Sequence, residues 1–74
     1  MVLTVKLFAS FCHGRFAVAQ IARPAGATVG SIVDALGLPR REIGTLLVSG
    51  RQADLEYRPL EGETISIYPR AARG

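Results

Sequence analysis

Thr28-Val29-Gly30-Ser31-Ile32-Val33-Asp34-Ala35-Leu36-Gly37-Leu38-Pro39 is the stretch whose pattern settles the architecture. Val29, Ile32, Val33 and Leu36 recur at i, i+3, i+4 and i+7, so four apolar side chains share one stripe of a helix. Thr28 stands where a hydroxyl can accept a hydrogen bond from an amide of the first turn, and Gly37 where a left-handed residue ends a helix. Pro39 forbids continuation. A helix of about two and a half turns is too short to be stable alone, so the stripe must be buried against a sheet.

The sheet is visible on both sides of this helix. From Val2 to Phe8, Leu3, Val5 and Leu7 point one way and Val2, Thr4, Lys6 and Phe8 the other, the period of two of a strand. Ala9 to Arg15 breaks the alternation, and Phe16 to Ile21 resumes it before Pro24 and Gly26 stop it, so the first two strands form a hairpin. Downstream, Thr45 to Ser49 reads as a strand, Ser49-Gly50 as a turn and Arg51 to Ala53 as a brief return. Glu61-Gly62-Glu63 supplies a tight turn before the last strand, Thr64 to Tyr68, and Pro69, which has no amide proton, is expected to end the ladder. The order is β-β-α-β-(β)-β. Leu3, Val5, Leu46, Val48, Ile65 and Ile67 are expected to line the core, leaving Thr4, Lys6, Leu47, Ser66 and Tyr68 on the face away from the helix.

Size and composition narrow the function. At 74 residues, 49% of them hydrophobic, there is room for one small core and no second domain, so a large enclosed active site is not expected. Cys12 is the only thiol, which excludes an internal disulfide, and with a single His the usual zinc spacings are missing as well. No stretch approaches the ~20 apolar residues of a membrane span, and the first residues lack the basic start and cleavage site of a signal peptide. The expectation is a cytoplasmic protein that does not engage membranes. Nine Lys plus Arg stand against six Asp plus Glu, but the cations are dispersed and only Arg40 and Arg41 adjoin, a solvated surface rather than a nucleic-acid stripe. A small RNA-binding domain using Arg40, Arg41 and Arg51 is the disfavoured third class.

Cys12-His13 invites a nucleophile-and-base reading, which adjacency argues against, because catalytic Cys and His normally come from separate parts of a chain. Tyr57 is expected to bury its ring and hydrogen-bond its hydroxyl to the backbone.

The N-terminal strand, the helix stretch, Leu47-Val48-Ser49-Gly50-Arg51 and Leu60-Glu61-Gly62-Glu63-Thr64-Ile65-Ser66-Ile67-Tyr68-Pro69, taken in order, resemble the ubiquitin-like β-grasp fold and especially the ThiS and MoaD sulfur carriers. The resemblance implies an α+β chain: a mixed four- to five-stranded sheet with one main helix on one face, residues 1–69 forming the domain and 70–74 a flexible tail. It further implies a co-substrate rather than a catalyst, holding no cofactor. The reactive group would be the C-terminal carboxylate of Gly74, adenylated by a ThiF/MoeB-like activating enzyme using ATP and converted to a thiocarboxylate. Sulfur would then pass to a molybdopterin or thiazole precursor, with a MoaE-like synthase subunit or a thiazole synthase as partner. Leu47, Ser66, Tyr68, Arg70 and Arg73 would contact those partners. The family ends in Gly-Gly, whereas this chain ends in Ala71-Ala72-Arg73-Gly74, which sets a long charged side chain next to the reactive carboxylate. Leu-Gly-Leu-Pro (36–39) and Arg-Pro-Leu-Glu-Gly-Glu (58–63) are also similar to ubiquitin-like domains attached to PIN-type nucleases, which implies the alternative of a non-conjugating interaction module.

Overall fold

The computed structural model describes residues 1–70. Alternating apolar positions make β1 (Val2–Leu7), β2 (Val18–Ala22), β3 (Ile43–Val48) and β5 (Thr64–Pro69), with a two-residue β4 (Arg51–Gln52). They form one five-stranded sheet in the order β2-β1-β5-β3-β4. The first and last strands pair in parallel at its centre, Val5 beside Ile65 and Leu7 beside Ile67, while every other pairing is antiparallel. The chain crosses from β2 to β3, on opposite sides of that central pair, through α1 (Val29–Ala35). This is the ubiquitin-like β-grasp fold.

Thr28 caps α1: its hydroxyl accepts the Ser31 amide at 3.1 Å, and Gly37 takes φ +74° just beyond the end. The helix buries Val29, Ile32 and Val33 completely against Leu3, Val5, Ile65 and Ile67, the core the alternation anticipates. Leu36 is only half-buried, because the helix ends before it and it serves as the C-cap. Two core members lie outside the regular elements. Phe11 enters from a 3-10 turn over Ala9–Cys12, inside the segment that reads as plain loop, and Leu38 follows the helix.

Several boundaries differ from expectation: β3 runs from Ile43 to Val48 where Thr45 to Ser49 is expected, and β4 stops at Gln52 before Ala53. Two further differences have local reasons. The second strand begins at Val18 rather than Phe16, because Phe16 turns in to pack on the core, although Ala17 still accepts the Leu7 amide at 2.9 Å. Pro69 ends the last ladder from within, as the final residue of β5, and not from just beyond Tyr68. It pairs with Ile43, and the next amide, Arg70, donates to the Glu42 carbonyl at 2.8 Å. Proline is tolerated here because it stands at the final position of the ladder, where one missing donor costs little. The β3–β4 hairpin closes through Ser49 (φ +51°) and Gly50 (φ +82°), the two left-handed residues that a two-residue hairpin turn of this hand requires.

Candidate functional site

Among the described residues no helix or strand covers the face of the sheet opposite α1. Across its centre Lys6 of β1, Ser66 of β5 and Leu47 of β3 lie side by side in register, and Thr45 pairs with Tyr68 one step further along. Leu47, Ser66 and Tyr68 are half-buried and Lys6 is exposed. Tyr68 does not stand alone: its ring stacks on that of Phe8, centroids 4.1 Å apart and planes 8° from parallel. Phe8, missed as a site residue, was already on the same side as Lys6 in the alternation of β1; only the parallel β1–β5 pairing, a long-range fact, brings it to Tyr68. Together with Gly44, Thr45, Leu47, Pro69 and Arg70, the tyrosine also walls a shallow apolar depression at the end of β5.

Gly44 makes that end of the sheet possible. The β3–β5 register slips between Ile43 and Thr45, and a Cβ at Gly44 would stand 2.7 Å from the Pro69 carbonyl oxygen and 2.9 Å from the Arg70 Cα. The last residues of β5 therefore run against bare backbone. Arg70 leaves the sheet exposed at the rim of the depression. Arg73 and Gly74, with Ala71 and Ala72, lie outside the described residues. Outward positions of β1, β2, β3 and β5 carry Lys6 and no carboxylate, so a partner surface bearing acidic groups would meet no like charge there.

The remaining polar clusters serve the fold. Glu63 ties the loop before β5 together: one carboxylate oxygen accepts the Leu60 amide at 2.9 Å and the Tyr57 hydroxyl at 3.0 Å, the other the Ser49 hydroxyl at 3.1 Å. Tyr57 thus departs from expectation: it is 37% exposed, and its hydroxyl donates to a side chain rather than to backbone. The Leu60 amide is the main cause that holds the Glu63 carboxyl below its ordinary pKa; burial opposes it, and the Tyr57 and Ser49 hydroxyls add to the lowering. A carboxyl depressed on folding stabilises above its unfolded pKa of about 4.3 and loses that contribution as pH falls through the lower folded value. Glu63→Gln is therefore expected to lower the urea midpoint at pH 7, with the gap to wild type closing toward pH 3; parallel midpoints at the two pH values would refute the assignment.

Arg40 grips Asp34 with two hydrogen bonds of 3.0 and 2.9 Å, lowering the carboxyl pKa through that contact, and so is occupied rather than offered to a phosphate. The Cys12 thiol donates to the Ala9 carbonyl at 3.1 Å within its own turn. Among the described residues no cluster of His, Cys, Asp and Glu could hold a metal, and no helix is long and apolar enough to cross a membrane.

Comparison with known proteins places this geometry. The family model described as Mut7-C ubiquitin matches residues 7–74, nearly the whole chain. The chain belongs to the Mut7-C ubiquitin family. Members of other named groups share its fold. SAMP1 from Haloferax volcanii is similar over 100% of both chains, with a TM-score of 0.79 at 24% identity. A putative molybdopterin converting factor subunit 1 from Pyrococcus furiosus covers 96% of this chain and 99% of its own, with a TM-score of 0.78 at 19% identity. In Helicobacter pylori, a complex of subunits 1 and 2 of the molybdopterin-converting factor contains a chain with a TM-score of 0.68 at 15% identity, covered in full in both directions. None of the curated proteins matches this Mut7-C ubiquitin chain in sequence.

Proposed function

We propose that this chain is a small sulfur carrier of the ThiS/MoaD type, which docks by its open sheet face onto a ThiF/MoeB-like activating enzyme and offers the Gly74 carboxylate for chemistry there. The observation that carries the reading is the exit of the chain. Arg70, clamped through its amide to Glu42, leaves the sheet at the rim of the apolar depression walled by Leu47 and Tyr68. Gly74 is 74 − 70 = 4 residues further on, a reach of at most about 14 Å at ~3.3–3.6 Å per residue. An enzyme that acts on the terminus must therefore sit within that distance of the depression, so docking and chemistry are coupled by geometry.

The carboxylate is a poor electrophile until it is joined to phosphate. The partner's ATP would supply AMP to make the acyl adenylate with release of pyrophosphate; attack by a sulfur donor would then expel AMP and leave the thiocarboxylate. The chain itself would contribute position and the Gly74 carboxylate and hold no cofactor. By analogy with the two-subunit complex from Helicobacter pylori, a MoaE-like synthase subunit is the second proposed partner, and a thiazole synthase the equivalent if the acceptor is a thiazole.

A second reading has its own support. The Mut7-C ubiquitin match favours a non-conjugating module that uses the same face only for docking. Intact-mass analysis after incubation with ATP, a sulfide source and the cognate activating enzyme separates the two. The carrier reading expects a gain matching sulfur in place of one carboxylate oxygen, abolished by deletion of Gly74 and slowed at least ~10-fold by Leu47→Asp, the scale of losing one central apolar contact. No gain with an enzyme shown to be active on another carrier would leave the module.

A further inference from the structure

The two edges of the sheet are not alike. β4 is two residues long and carries Arg51, the short, charged kind of edge that resists adding a strand. β2 reads Val18-Ala19-Gln20-Ile21-Ala22, without a charge or a proline, and its register with β1 is unbroken. The direction of its free backbone groups follows from the ladder. Met1 and Arg23 exchange hydrogen bonds, and Leu7 donates to Ala17, so the odd-numbered residues of β2 face β1 and the even-numbered ones face away. The amides and carbonyls of Val18, Gln20 and Ala22 thus point outward along the edge. Their side chains lie on the open face, all exposed, with Val18 at 58%. The one described contact to these outward groups is local, Arg23 Nη1 to the Ala22 carbonyl at 3.3 Å.

We propose that β2 pairs with β2 of a second copy of this chain, antiparallel about a two-fold axis through Gln20. The edge is self-complementary in that register. Val18 falls opposite Ala22 of the copy and Gln20 opposite Gln20, and each such pair exchanges two backbone hydrogen bonds. Arg23 falls opposite Ala17 rather than opposite another cation, so no like charges meet across the pairing. A foreign strand would have to supply this match, whereas a second copy brings it. The contact is one strand wide, below the ~1,200 Å² of a stable interface, so the dimer is weak and concentration-dependent. Its axis stands perpendicular to the sheet, which puts both open faces, and both depressions beside Leu47 and Tyr68, on the same side of a continuous ten-stranded sheet. A partner with two binding surfaces would be engaged twice. The inference does not depend on the chemistry at Gly74.

Sedimentation equilibrium of the full chain up to about 1 mM tests it. Wild type is expected to show a reversible monomer–dimer equilibrium. Gln20→Pro removes an outward amide that β1 does not use, the position an edge strand tolerates in proline, and is expected to weaken association at least ~10-fold with the far-UV spectrum unchanged. Should that variant misfold, Gln20→Lys sets two cations face to face at the axis and should have the same effect, while an equimolar mixture of Gln20→Lys and Gln20→Glu should associate again. A wild-type chain that stays monomeric at 1 mM overturns the proposal. So does a dimer indifferent to both the proline and the lysine, or one dissolved by Leu47→Asp instead, which would place the contact on the open face.

Discussion

Ile67→Ala is expected to bring the protein close to half-unfolded at 25 °C. Ile67 is fully buried in the central strand of the sheet, with Leu46 of β3 and Leu7 of β1 in register on either side and α1 packed over the same core. Removing three carbons from such a site costs about 2–5 kcal/mol, the transfer energy plus the cavity that neighbours on a rigid sheet cannot close. A core of this size leaves a net stability of only about 3–5 kcal/mol. The two quantities are of equal size. A urea titration followed by circular dichroism should show a native baseline that is short or missing for Ile67→Ala, and a normal cooperative transition for Ile67→Val, at a cost of about 0.5–1.5 kcal/mol. A loss under about 1 kcal/mol for the alanine variant would mean that the core repacks freely and that its assignment as the main support of the fold is wrong.

The second large effect belongs to Gly44→Ala. The added Cβ would meet the Pro69 oxygen at 2.7 Å and the Arg70 Cα at 2.9 Å, and both are backbone, so no side chain can swing aside. The end of β5 must lift from β3 or β3 must bend. Either movement strains the Arg70-to-Glu42 hydrogen bond, and overpacking of this kind costs about 1–3 kcal/mol. The damage is expected to be local. Amide exchange at Arg70 should accelerate well beyond that at Ile65, and under the proposed carrier function activation of the terminus should fall more than stability alone accounts for, because the exit point is displaced from the depression. Equal acceleration at Arg70 and Ile65 would indicate global loosening and remove the special role of Gly44.

Much of this was legible in the sequence because it rests on short-range periodicity. The helix stripe, its threonine cap, the Ser49-Gly50 turn and the inward face of each long strand follow from patterns spanning a few residues, and the open-face positions of Leu47, Ser66 and Tyr68 follow from the same alternation. What was not legible depends on residues far apart in the chain. Nothing near Gly44 signals that Pro69 will approach it, nothing near Tyr57 signals that Glu63 will draw its hydroxyl outward, and the Phe8–Tyr68 stack needs strands one and five to be neighbours. Phe11 was hidden for a different reason: a single aromatic in an irregular segment has no period to betray its burial.

The parallel pairing of β1 with β5 has a mechanical consequence. Because the two strands nearest the chain ends lie side by side at the centre and run in the same direction, a force that pulls those ends apart acts along the strands and across their shared hydrogen bonds. The bonds are loaded together in shear instead of being opened one after another like a zip. A motor that threads the chain from its C-terminal end meets this clamp first, and must break the whole ladder at once before any part of the domain yields.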